Sequence, residues 1–547
     1  MKFKLLYILL LYICHDSIAR DYFIHPILGD DTNSGLSKES PFKNLSILST
    51  MKLLPGDRIL LAANQIHKSS LSLVNQHGVK KNPIIITSWQ WDSKEVFIPA
   101  IIDFKGEPNG ILLQDCSYVE VRNLQVTANG YFNIDENQKM RCGILVTNNN
   151  STLMDQIIID SVNVYDVYYE NPGYSRGKEE VKTANGTKKY GWGIRIINNQ
   201  SEAVIKNVQI KNCHISNVSH TGIKFTGGPK NITDIKILNN TLEKTGGPGI
   251  QMSGVENVYV AENKVSYSGS NDDTRKWGRG SGLWTWGASN VLIEKNKFLY
   301  ADGPGDSAGA HIDFNCDNIV LQYNISAHNA GGFCEILGNT YNCSYRYNIS
   351  INDGQRVKGE NGAFQEGKIL WLSGFQGNKA PRKGPVNTYV YNNTIYSDST
   401  TVSKIAIDNT SKGIYIANNI FYLKGQTKAV LGDQYKPDKV SSALAENVFF
   451  KNNLFLSNNT WPQDIGIKDD TPIFGDPGFV NGGGNDAKDY IPLNFDLIKN
   501  KGLKITMLPD DSVGLYQTLH LEKDILGNII QGNPSLGAIE PGRNTDY

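Results

Sequence analysis

Apolar and polar residues alternate in short stretches that recur from the first third of the chain to near its end. Alternation over about five positions is the period of a β-strand that buries one face. The pattern predicts a strand at each stretch, and helix-period segments are too scarce for an α/β fold. The stretches are VEVRNL (119–124), VQIKNC (208–213), IKILNN (235–240), VYVAEN (258–263), VLIEKN (291–296), IVLQYN (319–324), CSYRYN (343–348), TYVYNN (388–393), IYIANN (414–419) and VFFKNN (448–453).

Most of these stretches end on an asparagine, and the asparagines recur with a short, uneven spacing. The shortest step, from Asn240 to Asn263, is 23 residues, and the longer steps contain insertions. A propeller would need evenly spaced blades of about 40–50 residues, so the pattern favours a parallel β-solenoid. Stacked asparagine side chains are expected to hydrogen-bond along its axis. The asparagines are Asn240, Asn263, Asn296, Asn324, Asn348, Asn393, Asn419 and Asn453.

A second column of predicted strands begins with glycine and precedes the first column in many repeats. These strands are GIRII (193–197), GIKFT (222–226), GIQMS (249–253), GLWTW (282–286), GAHID (309–313) and GFCEI (332–336). A slip of one residue would exchange the buried and exposed faces, so the alignment decides which side chains reach the surface. The residues predicted to face inward are Ile194, Ile223, Ile250, Leu283 and Ala310, with Ile196, Phe225, Met252, Thr285, Ile312 and Cys334. The residues predicted to face outward are Arg195, Lys224, Gln251, Trp284, His311 and Phe333, with Ile197, Thr226, Ser253, Trp286, Asp313 and Glu335.

The two ends of the chain extend the pattern. The start YFIHPILGDDTNSGLSKESPFKNL (22–45), the strand PGDRILL (55–61) and the closing segments DPGFV (476–480) and LGNIIQGNPSLGAIEPG (526–542) stand on either side of the repeat. With the repeat, they resemble the secreted right-handed parallel β-helix proteins of the pectate-lyase-like superfamily. The resemblance implies an all-β, right-handed parallel β-helix with an N-terminal cap and loop insertions on one face. That superfamily includes lyases, glycosidases and some non-enzymes, so the resemblance leaves the chemistry open.

The first residues predict export. Lys2 and Lys4 precede the apolar run 5–13, and the segment 17–19 ends on a small-x-Ala site, as in a secretory signal peptide. Spanning a bilayer takes about 20 apolar residues, more than this run has. We expect cleavage near Ala19 and an exported protein that is periplasmic, cell-surface or extracellular.

The repeat predicts one elongated domain rather than several. We expect a signal peptide (1–19), N-terminal strands and cap (20–105), central β-helix rungs (106–460) and a C-terminal closing segment (461–547). The 54 basic and 54 acidic residues cancel, so there is no global basic field for nucleic acid. We expect a monomer without a membrane span. The six cysteines after the signal peptide lack zinc-ligand spacing, and most are predicted to be buried.

Acidic residues concentrate where the glycine-led strands reach ADGPGDSAGAHIDFN (301–315). The predicted alignment places Asp313 and Glu335 on neighbouring rungs, about 4.8 Å apart, with His311 beside them. Asp302 and Asp306 lie on the turn before that strand. A glycosidase needs two carboxyl groups with different pKa values, and Asp313 with Glu335, or Glu335 with one of the turn aspartates, would supply such a pair. The alternative is that these acids are solvated surface groups.

Aromatic and basic residues lie on the same predicted face. The apolar faces of Trp284 and Trp286 suit sugar rings, although the insertion 265–281 would turn them into packing residues if it covered them. Arg195 and Lys224, one rung apart, are candidates to bind an anionic substituent such as a carboxylate or sulfate. Long insertions flank this face; they are 165–193, 352–367 (which carries Arg356) and 373–385.

Three functions follow. The first is a glycoside hydrolase that cleaves a polysaccharide with a carboxylate pair and needs no cofactor. The second is a polysaccharide lyase, in which Arg195, Lys224 or His311 acts as the base and the acids bind Ca²⁺. The third is a glycan-binding or structural solenoid without activity. A lyase product absorbs ultraviolet light through its new double bond, whereas a hydrolase releases reducing ends without that absorbance.

Overall fold

The computed structural model describes residues 19–132, 140–187, 189–430 and 444–542. The signal-peptide prediction rests on residues 1–18, which lie outside the described residues. Almost all regular structure consists of short parallel strands in three long sheets, here called sheets A, B and C. Successive turns of the chain visit sheet C, then A, then B. The fold is therefore the expected right-handed parallel β-helix.

Sheet A contains the strands that end at the asparagine positions. Its 14 strands, in order, are Asp21–Ile24, Arg58–Ala62, Ile84–Trp89, Val119–Arg122, Leu153–Asp160, Val204–Lys211, Ile232–Leu238, Val255–Ala261, Ser289–Glu294, Asp317–Gln322, Ser344–Arg346, Val386–Tyr391, Lys412–Ala417 and Glu446–Lys451.

Sheet B follows the asparagine turn. Its 14 strands are Ile66–His67, Ile101–Asp103, Gln125–Asn129, Asn163–Tyr168, His214–Val218, Thr241–Glu243, Lys264–Ser266, Lys297–Leu299, Ile325–Ala327, Ile349–Ile351, Thr394–Ser397, Ile420–Leu423, Leu454–Phe455 and Ile473–Phe474.

Sheet C contains the strands of the glycine-led column. Its 12 strands are Leu71–Val74, Asn109–Gln114, Arg141–Asn148, Gly191–Asn198, Ile223–Thr226, Ile250–Ser253, Leu283–Trp286, Ala310–Ile312, Gly332–Ile336, Lys368–Leu372, Ser403–Ile407 and Thr427–Ala429. The described helices are short: Leu45–Thr50 and Ala487–Tyr490 are 3₁₀-helices, and Lys178–Lys182 and Phe495–Ile498 are α-helices. None of the described helices is long and apolar enough to cross a membrane.

The asparagines form a buried ladder at the turn between sheets A and B, which confirms the prediction. Each side-chain amide from Asn240 to Asn419 donates to Oδ1 of the asparagine one rung further, at 2.8–3.0 Å. The same Oδ1 accepts the backbone N–H of the preceding asparagine. The ladder ends where Asn453 donates to Asp469, at 2.7 Å.

The predicted register of sheet C is correct from the rung of Ile194 to the rung of Ala310. The strand pairs align Ile194 with Ile223, and then with Ile250 in the next rung. These residues lie in the main core, which runs along the whole helix. The six cysteines between positions 116 and 343 are also buried, and none of them forms a disulfide.

The predicted register is wrong in the next strand, Gly332–Ile336. The structure pairs Ile312 with Ile336, which is two residues away from the expected alignment. Glu335 therefore lies one rung from His311, in the first outward column, and not beside Asp313. A shift of two residues keeps every side chain on its face, so the alternation of apolar and polar residues could not reveal it.

Phe333, which was expected to face outward, is buried in the core and packs edge-on against Tyr345, with ring centroids 5.5 Å apart. The preceding Gly332 has a φ of 143°, and a Cβ atom there would lie 1.8 Å from the carbonyl oxygen of Lys368. The irregular backbone at this glycine breaks the simple alternation and turns Phe333 inward.

Candidate functional site

The outer face of sheet C lines a groove with a volume of about 750 Å³. The two outward columns form its floor, and residues of the insertions form its sides. Of the nine candidate residues, eight line this groove: Arg195, Lys224, Trp284, Trp286, Asp306, His311, Asp313 and Glu335. The ninth, Asp302, is exposed and lies outside the lining. The structure therefore does not bring Asp302 together with the other acids.

Asp306 lies in the turn before the strand Ala310–Ile312 and is held by Arg279. The arginine donates through Nε to Oδ2 at 2.7 Å and through Nη2 to Oδ1 at 3.1 Å, and both side chains are buried. Burial alone would raise the pKa of Asp306. The positive charges of Arg279, His311 and Arg356 outweigh burial and hold that pKa below its usual value. Asp306 is thus an ionised carboxylate at neutral pH.

Asp313 directly follows the same strand and has the opposite electrostatic setting. Burial raises the pKa of its carboxyl group to about 7, and the negative charge of Asp306 adds to this effect. A hydrogen bond from the backbone N–H of Phe314 to Oδ1, at 2.8 Å, and the charge of Arg279 oppose the rise. The groove therefore contains two aspartates whose pKa values have moved in opposite directions.

Glu335 is the third acid of the groove, one rung beyond His311. Burial raises its pKa, and the negative charges of Asp306 and Asp313 raise it further. The positive charges of His311 and Lys368 act against this rise. Three acids thus share one buried cluster, in which each negative charge disfavours the ionisation of the others.

His311 is buried at the centre of the first outward column. Its Nδ1 lies 3.0 Å from the hydroxyl oxygen of Ser281, which also accepts the backbone N–H of Ala308 at 3.1 Å. The edge of its ring meets Trp284, with centroids 5.3 Å apart. These contacts orient the imidazole toward the acids.

The two tryptophans of the groove differ in exposure. Trp286 is 40% exposed and meets Phe314 edge-on at 5.9 Å, and Phe314 in turn meets Phe375 at 5.8 Å. Trp284 is only 7% exposed. In the insertion 265–281, Trp277 donates through Nε1 to the carbonyl oxygen of Glu180, at 3.1 Å, in a neighbouring insertion, whereas Arg279 lines the groove. Trp286 is therefore open to a ligand, and Trp284 is largely a packing residue.

The opposite end of the groove is basic. Arg195 and Lys224 are paired in register on adjacent strands. Both lie over the ring of Trp192, with the Arg195 Cζ atom 4.4 Å and the Lys224 Nζ atom 4.9 Å from the ring centroid. Trp192 itself stacks on buried His220 at 3.9 Å. Burial and the charge of Arg195 lower the pKa of Lys224 to about 7.

The insertions build and brace the site. Residues of 165–193 and 373–385 form parts of the groove wall. The insertion 352–367 does not line the groove but supports it, because Arg356 donates through Nη1 to the backbone carbonyl of Asp306 at 2.9 Å. Arg279 donates to the carbonyl of Lys182 at 2.9 Å and so ties two insertions together.

Trp192, Gln251 and Arg279 are among the lining residues that were not predicted as site residues. Gln251 lies in the outward column between Lys224 and Trp284. The alternation of apolar and polar residues therefore predicted that it faces outward, although it was not named as a site residue. Arg279 lies in an insertion without periodicity, and only the folded chain places it against Asp306.

Comparison with known proteins supports the fold. Residues 192–395 match the family described as "Right handed beta helix region". The native GH136 lacto-N-biosidase of Eubacterium ramulus has a TM-score of 0.53 and 19% identity, over 75% of this chain and 68% of that one. The complex of XylC with xylose has a TM-score of 0.51 and 12% identity, over 96% and 99% of the two chains. These similarities and the three parallel sheets define the fold as a right-handed parallel β-helix.

A curated relative is similar along nearly the whole chain. The lacto-N-biosidase of Bifidobacterium longum subsp. longum is 24% identical over 628 aligned residues, which cover 96% of this chain. The chain spans only 36% of the length of that relative.

Proposed function

We propose that this protein is a glycoside hydrolase that cleaves a glycan bound in the groove of sheet C. The observation that carries the proposal is the pair of aspartates with opposite pKa shifts: Asp306 is held ionised, and Asp313 has a pKa of about 7. When the surroundings of two carboxyl groups shift their pKa values in opposite directions, one group can act as the acid and the other as the base or nucleophile. The similarity to lacto-N-biosidases supports a hydrolase over a lyase.

The two carboxyl groups have separate roles in this proposal. Protonated Asp313 gives its proton to the oxygen of the glycosidic bond as that bond breaks. Ionised Asp306 stabilises the positive charge that develops on the sugar, by attacking the anomeric carbon or by activating a water. Arg279 is a positioning residue, because it holds the Asp306 carboxylate through two hydrogen bonds.

Glu335 and His311 complete the acid cluster. Burial raises the pKa of Glu335, and the charges of Asp306 and Asp313 add to the rise. His311 lies between Trp284 and Glu335 in the first column. Trp286, which is exposed, would stack on a sugar ring. We further propose that the protein is exported and acts as a monomer on a polysaccharide.

The test is a set of carboxyl-to-amide variants assayed for release of reducing ends from a panel of polysaccharides that includes a lacto-N-biosidase substrate. Asp306→Asn and Asp313→Asn should each lower kcat/KM by about 100-fold or more. Asp302→Asn is the matched control, since Asp302 lies on the same turn but outside the groove, and it should retain full activity. All variants are checked for unchanged far-ultraviolet circular dichroism.

The outcome also separates the candidate pairs. Undiminished turnover by Asp313→Asn would overturn the proposed acid. If Glu335→Gln abolishes turnover while Asp306→Asn does not, the partner of Asp313 is Glu335.

A polysaccharide lyase is the second candidate, because Lys224 has a pKa of about 7 and would be a competent base at neutral pH. The described residues contain no group of three or more His, Cys, Asp or Glu side chains arranged to hold a metal ion. Dependence on Ca²⁺ stays a prediction, which addition of EDTA tests. Products that absorb ultraviolet light in the same assays would favour the lyase.

A further inference from the structure

The basic end of the groove holds two cations for which the described residues supply no anionic partner. Lys224 is only 7% exposed, and Arg195 is half-buried beside it. Both lie over the ring of Trp192, and Arg195 also contacts the sulfur of Met140. Among the residues that the structure describes, no carboxylate forms an ion pair with either cation.

Burying a charge without a partner is unfavourable, because the charge loses its hydration and gains no compensating interaction. The lowered pKa of Lys224 reflects this cost, since burial and the charge of Arg195 both disfavour its protonated form. An anion placed between Lys224 and Arg195 would supply the missing partner. It would also form charge-assisted hydrogen bonds, which are stronger than neutral ones.

Unpartnered polar atoms occur in the same groove, on the rungs from Arg195 to Trp284. Five buried atoms that belong to groove-lining residues have no hydrogen-bond partner within the described parts of the chain. Buried polar atoms in folded proteins are nearly always paired, so such a concentration points to a ligand. The atoms are Nε1 of Trp192, Nε of Arg195, Oγ1 of Thr226, Oε1 of Gln251 and Nε1 of Trp284.

This end lies away from the acid cluster along the groove. Lys224, Gln251, Trp284 and His311 occupy successive rungs of one column. Three rung spacings separate Lys224 from His311, which corresponds to about 14 Å. A group bound at Lys224 is therefore not on the sugar beside Asp313 but further along the same glycan.

We propose that Lys224 and Arg195 form a subsite for an anionic substituent, a carboxylate or a sulfate, on a sugar residue remote from the cleaved bond. Trp192 provides the apolar floor of the subsite, and Gln251 and Thr226 bind the hydroxyl groups of the same sugar. The substrate is then an acidic glycan. This inference rests on the proposed function, because it assumes that the glycan is cleaved at the acid cluster. The binding of an anionic substituent at Lys224 and Arg195 does not itself require catalysis.

The experiment measures binding with Asp313→Asn protein, so that no substrate is consumed. Matched oligosaccharide pairs are titrated by calorimetry: uronate-containing and sulfated oligosaccharides, each with its carboxyl-reduced or desulfated counterpart. The acidic member of at least one pair should bind about 10- to 100-fold more tightly than its neutral counterpart. Which series shows the preference distinguishes a carboxylate from a sulfate.

Substitutions assign the preference to the subsite. Lys224→Met added to Asp313→Asn should remove most of the preference while leaving the affinity for the neutral member within about twofold, a change well under 1.4 kcal/mol. Lys236→Met is the matched control, because Lys236 is an exposed lysine of the same rung on sheet A. It should leave the preference unchanged. Arg195→Gln provides a second variant if Lys224→Met does not fold.

Equal affinity for acidic and neutral members in every pair, or a preference that survives both Lys224→Met and Arg195→Gln, would overturn the subsite. Absence of binding by every acidic member would overturn it as well. If the protein prefers acidic oligosaccharides but the wild type hydrolyses none of them, the subsite stands and the proposed function is overturned. If the wild-type protein hydrolyses neutral glycans and shows no preference for acidic ones, the proposed function stands and the subsite is overturned.

Discussion

Asp306 and Asp313 show how two identical side chains acquire different chemistry seven positions apart in the sequence. Asp306 is buried and Asp313 is half-buried, and burial acts to raise the pKa of each. Arg279 holds Asp306 through two hydrogen bonds, and its charge reverses that effect. At Asp313 the hydrogen bond from the backbone of Phe314 and the charge of Arg279 do not offset burial, and the charge of Asp306 adds to the rise. The difference between them comes from their neighbours, chiefly from an arginine in an insertion.

The raised pKa of Asp313 predicts a dependence of stability on pH. The folded protein keeps this proton up to about pH 7, whereas the unfolded chain loses it near pH 4. Stability therefore falls as the pH rises from about 4 to 7, and the loss persists above pH 7. Asp313→Asn removes the destabilisation caused by the ionised carboxyl group. It should therefore raise the free energy of unfolding by about 2 kcal/mol at pH 8, after allowance for the partial exposure of that group.

Thermal unfolding of the wild-type and Asp313→Asn proteins at pH 4 and pH 8 checks this prediction. The two proteins should have nearly equal Tm values at pH 4, and the variant should be more stable at pH 8. A variant that is less stable than the wild type at pH 8 contradicts the raised pKa. Asp302→Asn, on the exposed turn, should show no such difference.

The rung is the structural element of this protein, and the asparagine ladder joins one rung to the next. Asn324 accepts the backbone N–H and the side-chain amide of Asn296, both at 3.0 Å. It donates to Ile293 at 2.9 Å and to Asn348 at 3.0 Å. All four bonds are buried, where a polar group without a partner is unfavourable.

Asn324→Ala should therefore destabilise the protein by about 3 kcal/mol, because it leaves the buried N–H of Asn296 and the carbonyl of Ile293 without partners. Urea unfolding followed by fluorescence measures the change. Asn459→Ala is the control, since Asn459 is exposed and, within the described part of the chain, only its backbone N–H forms a hydrogen bond, to Ser457. A loss below 1 kcal/mol at Asn324 would argue against a structural role for the ladder.

The molecule as a whole has one face that forms the groove and another that is covered by the C-terminal segment. Sheet C and its insertions form the groove, whereas the C-terminal segment packs over the outer sides of sheets A and B. Asp511 fastens this segment: it accepts hydrogen bonds from Asn342 at 2.9 Å, from Tyr389, and from the backbone of Val513 and Gly514 at 2.9 Å. The β-helix core lies between the two sides, so each side can change without the other.

Asp511→Ala should loosen the C-terminal segment and leave the groove intact. Hydrogen exchange should increase within residues 499–542 and stay unchanged in the strands of sheet C, and ligand affinity should match the wild-type value. Asp510→Ala is the control, since this neighbouring side chain is exposed and accepts one bond from Asn447. Faster exchange in sheet C, as well as in the segment, would show that the two sides are coupled.

The sequence predicted the fold and the strands whose outward side chains line the groove. Alternation with period two identified the strands of sheet C and the side chains that face outward, from Arg195 to His311. It also located the asparagine ladder, because an asparagine recurs at the same position of each rung. Eight of nine candidate residues lie in one groove for this reason: outward positions of stacked strands form a single surface whatever the insertions between them.

The tertiary structure decided the features that the alternation of apolar and polar residues cannot show, namely strand register and contacts made by the insertions. The two-residue shift at Glu335 keeps the same face, so only the backbone at Gly332 revealed that this acid lies beside His311 rather than Asp313. Arg279 comes from an insertion with no repeat, yet its ion pair separates the pKa values of the two aspartates. Local patterns determine strands and faces because they depend on neighbouring residues. Charge pairing across insertions depends on distances that exist only after the chain has wound into its helix.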